Sequence, residues 1–190
     1  MNDTLLIGTI SAPKFDHEVN GDRIYAATLT TSRTSGAQDM IPLLIPEYMV
    51  AACPARVRVA GEFRSHNCPP DANGHKQLQL YLYVQNMWAA YGEPDSNIIK
   101  LCGYICKTPI TRTTPLGKTI TDLLVAVPRT NIYDRSDYIP VIAWGNNTPL
   151  LNIGDCVAIT GRIQSRTHAK GIAYEVSASD LTLQTPSGTI

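Results

Sequence analysis

The sequence predicts an all-β protein built from two tandem domains of five strands each. Apolar and polar residues alternate in short segments rich in Val, Ile, Leu, Thr and Tyr. Turn signals such as "NGD", "TSG" and "PLG" separate these segments, and the order of the segments occurs twice. With 190 residues, of which 44% are hydrophobic and 17% are charged, the chain is globular and long enough for one large core or two small ones.

The internal repeat defines the predicted domains. Five segments of the first half match five segments of the second half, at offsets that stay between 95 and 100 residues. The matching ranges are 5–14 with 100–109, 27–33 with 123–129, 39–46 with 137–144, 57–65 with 157–165, and 75–87 with 171–183. The duplication predicts one domain over residues 1–90 and another over residues 98–185. The segment "YGEPDSN" at 91–97 is rich in turn-forming residues and is the expected linker.

A short helix or loop is predicted at the same place in each repeat, between the third and fourth strands. "PEYMVAA" at 46–52 is long enough for about two helical turns, whereas "NNTPLLN" at 146–152 contains Pro149 and allows barely one. Five strands with this interruption are the element order of an OB barrel. A sandwich of five to seven strands is the alternative.

The third strand of the second repeat, "DYIPVIAWG" at 137–145, is apolar on both faces. The more uniform face, which we expect in the core, consists of Ile139, Val141 and Ala143. The opposite face therefore turns Tyr138 and Trp144 outward. Pro140 lies in the middle of the strand and has no N–H to donate, which predicts a bulge or bend there.

The sequence argues against several classes of function. It contains no GxSxG, HExxH or GxxxxGK[ST] motif, and its four histidines lack a neighbouring nucleophile, so we do not expect an enzyme. Five cysteines, an odd number, favour reduced thiols over a disulfide framework. His66, Cys68 and His75 lack a CxxC pair, so a metal is not expected. The absence of a long apolar run and of a basic secretory start predicts a soluble, cytoplasmic protein.

Charge and aromatic residues point to the second half as a binding region. Residues 1–97 carry 7 Lys and Arg against 10 Asp and Glu, whereas residues 98–190 carry 9 against 6. The second half also interleaves rings with cations, as a groove for single-stranded nucleic acid does, because bases stack on rings and cations contact phosphates. The candidates are Tyr133, Tyr138, Trp144, His168, Lys118, Arg129, Arg162 and Arg166. Aromatic residues on one strand face also suit a core or an oligomer interface, and this alternative stays open.

These residues lie within a set of motifs that resembles the bacterial single-stranded DNA-binding protein family. The motifs are "CGYICKTP", "TPLGKTITDLLVAVPR", "DYIPVIAWG", "NIGDCVAITGRIQSRTH" and "YEVSASDL", which together span most of residues 98–183. The resemblance implies OB barrels that bind single-stranded DNA without sequence specificity and without a cofactor, in replication, recombination or repair. RNA stays open as a ligand, because base stacking does not read the 2′-hydroxyl.

The resemblance also implies roles for individual residues of the second half. Its base-stacking positions correspond here to Tyr138, Trp144 and His168. A further stacking position falls on Asn131, with Tyr133 close enough to substitute for it. The basic candidates would contact phosphates.

The first half matches the same motifs more faintly. Its equivalent positions carry Met40, Pro46 and Cys68, none of them aromatic. This half is therefore expected to supply stability, an oligomer interface or a partner site rather than stacking. Its basic residues, which suit either phosphate contacts or a solvated strand face, are Arg33, Arg56, Arg58 and Arg64.

The resemblance implies an assembly of four barrels, so two barrels per chain predict a homodimer. The sequence ends in "LQTPSGTI" without an acidic residue after Asp180, so recruitment of partners through an acidic tail is not expected. The alternative function is a protein-interaction module in which the aromatic strand forms the interface core and nucleic-acid affinity is low.

Overall fold

The computed structural model describes residues 1–51, 53–70, 74, 77–130, 134–145, 150–168 and 171–184, without the side chain of His168. The elements of the first repeat are β1 (Asn2–Ile10), β2 (Lys14–Val19), β3 (Asp22–Ser32), β4 (Gln38–Pro46), α1 (Glu47–Val50), β5 (Arg56–Asn67) and β6 (Leu78–Ala89). Those of the second repeat are β7 (Ser96–Ile105), β8 (Ile110–Thr113), β9 (Thr119–Pro128), β10 (Ser136–Trp144), β11 (Cys156–His168) and β12 (Gly171–Leu183). None of the described helical residues form a helix long and apolar enough to cross a membrane.

The strands of each repeat close into a ring. In the first repeat β3 pairs with β4, β4 with β6, β6 with β5, β5 with β1, and β1 returns to β3. The second repeat does the same with β9, β10, β12, β11 and β7. This is the strand order of an OB barrel, and a closed ring is not a two-sheet sandwich. The predicted all-β fold class is confirmed. We call the two rings the first barrel and the second barrel.

Each repeat contains one strand more than the five that were predicted. The extra strands β2 and β8 lie outside the rings and pair with β3 and β9. The chain turns from β2 into β3 at Asn20 and Gly21, whose φ angles of 52° and 89° suit a tight hairpin turn. Both strands are short and almost entirely exposed, so they lack the buried, alternating face that marks a strand in a sequence.

The helix of the first repeat is shorter than predicted. It covers Glu47–Val50, a single turn, and Pro46 at its start provides no side-chain cap for its free N–H groups. The counterpart predicted in the second repeat falls largely on residues 146–149, which lie outside the described residues.

Glycines at repeated positions let strands approach closely. A Cβ on Gly8 would overlap the carbonyl oxygen of Thr30, and one on Gly103 would overlap that of Ala126. The fourth ring strand of each repeat contains one glycine with the same restriction. A Cβ on Gly61 would overlap the Tyr83 carbonyl, and one on Gly161 that of Ser177. The duplicated glycines therefore follow from the bending of each ring, where only glycine allows the backbones to meet.

The two cores use equivalent positions of the repeat. Each is lined by aliphatic residues from the inward faces of all five ring strands, and Phe63 is the largest fully buried side chain of the first barrel. Equivalent buried pairs are Leu6 with Leu101, Leu29 with Val125, Ile41 with Ile139, Val59 with Ile159, and Phe63 with Ile163. Because these positions alternate along their strands, burial leaves the opposite faces available for polar or functional residues.

Two compact units divide the chain. One contains Asp3–Ile98 together with Gln164–Tyr174. The other contains Met1–Asn2, Ile99–Ile163 and Glu175–Ile190. The second repeat therefore contributes Gln164–Tyr174, as well as the first residues of β7, to the unit that holds the first barrel.

The predicted linker is held against the first barrel. Arg56 on β5 donates from Nη2 to the carbonyl oxygen of Glu93, at 2.5 Å, and to Oδ1 of Asp95, at 2.6 Å. The backbone N–H of Ser32 donates to Oδ2 of Asp95, at 2.7 Å. Burial raises the pKa of Asp95, but the hydrogen bonds from Ser32 and Arg56 outweigh it and leave this pKa below its ordinary value. Residues 91–97 are thus a docked segment rather than a free tether.

Candidate nucleic-acid interface

Strand β10 places Tyr138 and Trp144 on the outer face of the second barrel. It pairs with β9 along its whole length, with Tyr138 opposite Ala126 and Trp144 opposite Ile120. The alternation buries Ile139, Val141 and Ala143 in the core, as predicted from the sequence. Tyr138 is 39% exposed and Trp144 is 42% exposed, so both rings have a face that a ligand can reach.

The bulge predicted at Pro140 does not occur in the pairing of β10 with β9. Pro140 lies directly opposite Leu124, and the register runs without a shift. The Leu124 carbonyl accepts the Cys106 N–H at 3.0 Å, so Leu124 turns its hydrogen-bonding groups away from β10. The pair Pro140–Leu124 is therefore of the non-hydrogen-bonded kind, which requires no N–H from Pro140. Pro42 has the same position opposite Thr28 in the first barrel.

Trp144 and Lys118 line the same pocket. The pocket has a volume of about 450 Å³ and opens to solvent, and its described lining is Gly117, Lys118, Thr119, Trp144 and Gly145. The indole Nε1 donates to Oγ of Ser177 at 2.9 Å, which fixes the orientation of the ring. A flat ring held in one orientation beside an exposed ammonium group can stack a base and contact an adjoining phosphate.

The turn that carries Lys118 is held by backbone hydrogen bonds. Gly117 donates to the Thr114 carbonyl at 2.9 Å, and Thr114 donates to the Lys118 carbonyl at 2.8 Å. Gly117 has a φ of 75°, which explains why glycine occupies this position of the "TPLGK" turn. Gly145 donates to the Thr119 carbonyl at 3.0 Å and so joins the turn to the end of β10. These bonds bring Lys118 beside Trp144.

Arg129 is engaged with a buried carboxylate. Its Nε donates to Oδ2 of Asp137 at 3.0 Å, and its Nη2 donates to Oδ1 at 2.7 Å. The Asp137 side chain is only 2% exposed, so this bidentate pair compensates a charge that would otherwise be costly to bury. The pair holds the two ends of the β9–β10 hairpin together. A phosphate contact from Arg129, predicted from the sequence, would compete with this structural role.

The same ion pair occurs in the first barrel. Arg33 donates to both carboxylate oxygens of Asp39, whose side chain is fully buried. The hydrogen bond to Asp39 raises the pKa of Arg33 above its ordinary value. The sequence analysis missed these aspartates as partners, although the signal was present. Both repeats have an arginine after the second ring strand and an aspartate at the start of the third.

The sequence analysis also missed Arg112, which lies on the unpredicted strand β8. Arg112 is opposite Ile120, which is in turn opposite Trp144, so the two exposed side chains flank a buried isoleucine. Arg112 donates to both oxygens of Asp122, at 2.5 Å and 3.1 Å. This hydrogen bonding raises the pKa of Arg112. The outer face near Trp144 therefore carries an acid whose charge Arg112 offsets.

The remaining candidate residues are not part of the described lining of the pocket that contains Trp144. Arg162 is half-buried and Arg166 is exposed, both on β11. His168 ends β11, but its side chain is not described, and Tyr133 lies outside the described residues. Arg166 and His168 belong to the unit that contains the first barrel, whereas Lys118, Arg129, Tyr138, Trp144 and Arg162 belong to the other unit. The residues that the structure brings into one pocket are Trp144 and Lys118.

The equivalent positions of the first barrel carry no aromatic side chain. Met40 is 41% exposed, Pro46 is buried and Cys68 is half-buried. Each arginine of residues 1–97 makes an ion pair with a carboxylate. The pairs are Arg23 with Glu47, Arg33 with Asp39, Arg56 with Asp95, Arg58 with Glu93, and Arg64 with Glu62.

All five cysteines are free thiols, and burial raises the pKa of Cys53, Cys106 and Cys156. Among the described residues no three His, Cys, Asp or Glu side chains are grouped closely enough to hold a metal ion. Of the zinc ligands considered from the sequence, His75 lies outside the described residues.

Comparison with known proteins agrees with this geometry. Residues 96–184 match the single-strand binding protein family, which confirms the resemblance inferred from the motifs of the second half. The structure of the wild-type single-stranded DNA binding protein from Thermus aquaticus is similar to this chain at 20% identity, with a TM-score of 0.79, over 100% of this chain and 96% of that chain. A deletion mutant of the same protein gives 20% identity and a TM-score of 0.77, over 100% and 97%. No curated protein sequence matches the chain. At such identity the structural likeness establishes the fold.

Proposed function

Because residues 96–184 of this chain match the single-strand binding protein family, we propose that the protein binds single-stranded DNA without sequence preference. The observation that carries the proposal is the pocket shared by the oriented, half-exposed Trp144 ring and the exposed Lys118. The protein sequesters the strand and performs no covalent chemistry on it, and it requires no cofactor. This activity suits a cytoplasmic protein of replication, recombination or repair.

Base stacking and phosphate contacts both contribute to the binding free energy. A base stacked on Trp144 contributes about 1–3 kcal/mol whatever its identity, because every base has a flat face. Lys118, in the same pocket, then contacts an adjoining phosphate. Tyr138 lies six residues before Trp144 on β10, about 20 Å away along an extended strand, so it stacks a different base. His168 and Tyr133 would assist the stacking, and Arg162 and Arg166 would contact phosphates.

The second barrel carries most of the binding in this proposal. Its exposed cations include four that make no ion pair within the part of the chain that the structure describes. They are Lys100, Lys107, Lys118 and Arg135. With so few cations to release counterions, we expect modest affinity that falls with salt. The domains behind this division are residues 1–90 and 98–185, and a homodimer would bring four barrels together.

The test replaces Trp144 with alanine and measures fluorescence polarisation of a labelled thymidine oligomer. We expect the wild type to bind at low salt and more weakly at moderate salt. Trp144→Ala is expected to lose about 1–3 kcal/mol of binding free energy, which is the contribution of one stacked base. Because the substitution also removes the hydrogen bond to Oγ of the buried Ser177, thermal unfolding is measured in parallel and binding is compared where the variant is folded.

Trp88→Ala is the matched control, because Trp88 is the second tryptophan of the chain and is 49% exposed on the first barrel. It should bind like the wild type. Equal losses in the two variants would contradict the assignment of stacking to the second barrel. No binding of the wild type even at low salt would overturn the proposed function and favour a protein-interaction module whose interface contains Trp144.

A further inference from the structure

The segment Gln164–Tyr174 of the second repeat is part of the compact unit that holds the first barrel. It comprises the end of β11 and the beginning of β12, and it includes Arg166 and His168, two of the candidate binding residues. The side chain of Gln164 is only 3% exposed, so the segment is anchored where it begins. The contacts that anchor it involve Ser165 and the start of β4.

Ser165 makes two hydrogen bonds with neighbouring residues of β4. Its backbone N–H donates to Oδ1 of Asp39 at 3.0 Å, and its Oγ accepts the backbone N–H of Met40 at 3.0 Å. The two bonds run in opposite directions between Ser165 and adjacent positions of one strand. Together they restrain both the position and the orientation of Ser165. We call this arrangement the Ser165 clamp.

The β4 residues of the clamp, Asp39 and Met40, are themselves held in place. Asp39 is fully buried, and Arg33 binds both of its oxygens, so the carboxylate cannot rotate without breaking the ion pair. The pair β3–β4 is in register from Ile24 and Pro46 to Ser32 and Gln38, which holds Met40 in place as well. A hydrogen bond to a charged acceptor that is already fixed loses little entropy on forming and is stronger than a neutral one.

Ser165, the residue that the clamp holds, immediately precedes Arg166. Met40 is the first-barrel equivalent of Tyr138, so the backbone at a position that lacks a stacking ring is used here to hold another segment of the chain. We propose that Asp39 and Ser165 are positioning residues, through which the first barrel fixes the segment that presents Arg166 to the DNA backbone. This inference rests on the proposed function and gives residues 1–97 a definite part in it.

The test combines Ser165→Ala with Arg166→Ala in a double-mutant cycle. Removing Oγ deletes the bond from Met40 but leaves the fold intact, since the side chain is small. In the wild-type background, Arg166→Ala should reduce the dependence of log K for a thymidine oligomer on log salt by about one unit, the effect of one lost phosphate contact. In the Ser165→Ala background the same substitution should change this slope by less than half as much.

Hydrogen exchange supplies a readout that does not depend on DNA. Residues 164–174 of free Ser165→Ala should exchange about 2- to 10-fold faster than in the wild type, the effect of one hydrogen bond. Ser179→Ala is the matched control. The Oγ of Ser179 on β12 donates one hydrogen bond, to the Thr160 carbonyl on β11 at 3.1 Å, outside the segment Gln164–Tyr174. It should leave both readouts of the segment unchanged.

Two failures can be told apart. If the wild type binds the oligomer but Arg166→Ala has the same effect in both backgrounds, or exchange of residues 164–174 is unchanged, the positioning role is wrong while the proposed function stands. If the wild type does not bind at all, both fail, and faster exchange in Ser165→Ala would then identify the clamp as purely structural.

Discussion

Two equivalent positions on the third ring strand carry exposed aromatic residues in one barrel and none in the other. Strand β10 has Tyr138 and Trp144 where β4 has Met40 and Pro46. The inward faces of these strands are alike, since Ile41 and Ile139 are both fully buried. The repeats thus preserve what closes a barrel and differ in what a barrel presents to solvent. The comparison teaches that the core-forming face of this strand is kept in both barrels, whereas the outer face differs between them.

Cations extend this contrast. Every arginine of the first 97 residues makes an ion pair with a carboxylate, and these pairs tie strands, the α1 turn and the segment before β7 together. In the second repeat, Lys118 stands exposed beside an oriented ring. A positive charge that already has a fixed carboxylate partner has less to offer a phosphate. All arginines of the first repeat are therefore engaged with carboxylates, whereas Lys118 of the second repeat makes no ion pair among the described residues.

The largest expected effect tests whether the glycine at the same position of the fourth ring strand is required for stability in both barrels. Gly61→Ala and Gly161→Ala each place a Cβ against a backbone carbonyl that cannot move away. Each substitution should lower the free energy of unfolding by about 2–4 kcal/mol, as overpacking at a close backbone contact does. Urea denaturation measures this loss. Gly36→Ala, in a turn with open space around it, isolates the cost of a positive φ. A loss in only one barrel would contradict their structural equivalence.

A smaller effect tests whether the barrels differ in charge. Lys118→Ala should reduce the slope of log K against log salt for a thymidine oligomer by about one unit, because one phosphate contact is lost. Lys14, exposed on β2 of the first repeat, provides the control, and Lys14→Ala should leave the slope unchanged. Similar reductions from both lysines would show that binding is spread over the two barrels. Polarisation titrations at several salt concentrations give these slopes.

The smallest expected effect concerns pH. The hydrogen bonds from Ser32 and Arg56 lower the pKa of Asp95 in the folded chain below its ordinary value of 3.8. Asp95 therefore stabilises the fold above that ordinary value, and this contribution is lost as pH falls through the lower pKa of the folded state. Asp95→Asn should flatten the acid limb of a thermal stability profile below about pH 5, where the carboxylate of the wild type begins to take up protons. An unchanged acid limb would rule out this role for Asp95.

Much of the fold could be predicted from the sequence because repeated patterns are local. The five ring strands of each barrel and the outward direction of Tyr138 and Trp144 follow from the alternation of apolar and polar residues. The family resemblance of the second half follows from motifs in one stretch of chain. The extra strands β2 and β8 escaped prediction because they bury almost nothing. The sequence predicts a bulge at Pro140 because proline has no backbone N–H to donate to the neighbouring strand. The register against β9 shows that no N–H is needed at this position.

The candidate site was less accessible to sequence reasoning. Arg129 was selected for its charge, but its partner Asp137 lies on the next strand and was not recognised. Arg112 was overlooked because its strand was not predicted. The predicted contributions of Tyr133 and His168 stay predictions, since the ring of neither is described.

The amino-acid sequence by itself determined the all-β class, the duplication and the strand that carries the rings, because side-chain alternation and recurring glycines are properties of neighbouring residues. Tertiary structure decided which charges are already paired, that Lys118 shares a pocket with Trp144, and that Ser165 is bound by Asp39 at a distance of 126 residues along the chain. Such contacts depend on register and on ring closure, which bring together residues whose separation in sequence carries no local signal.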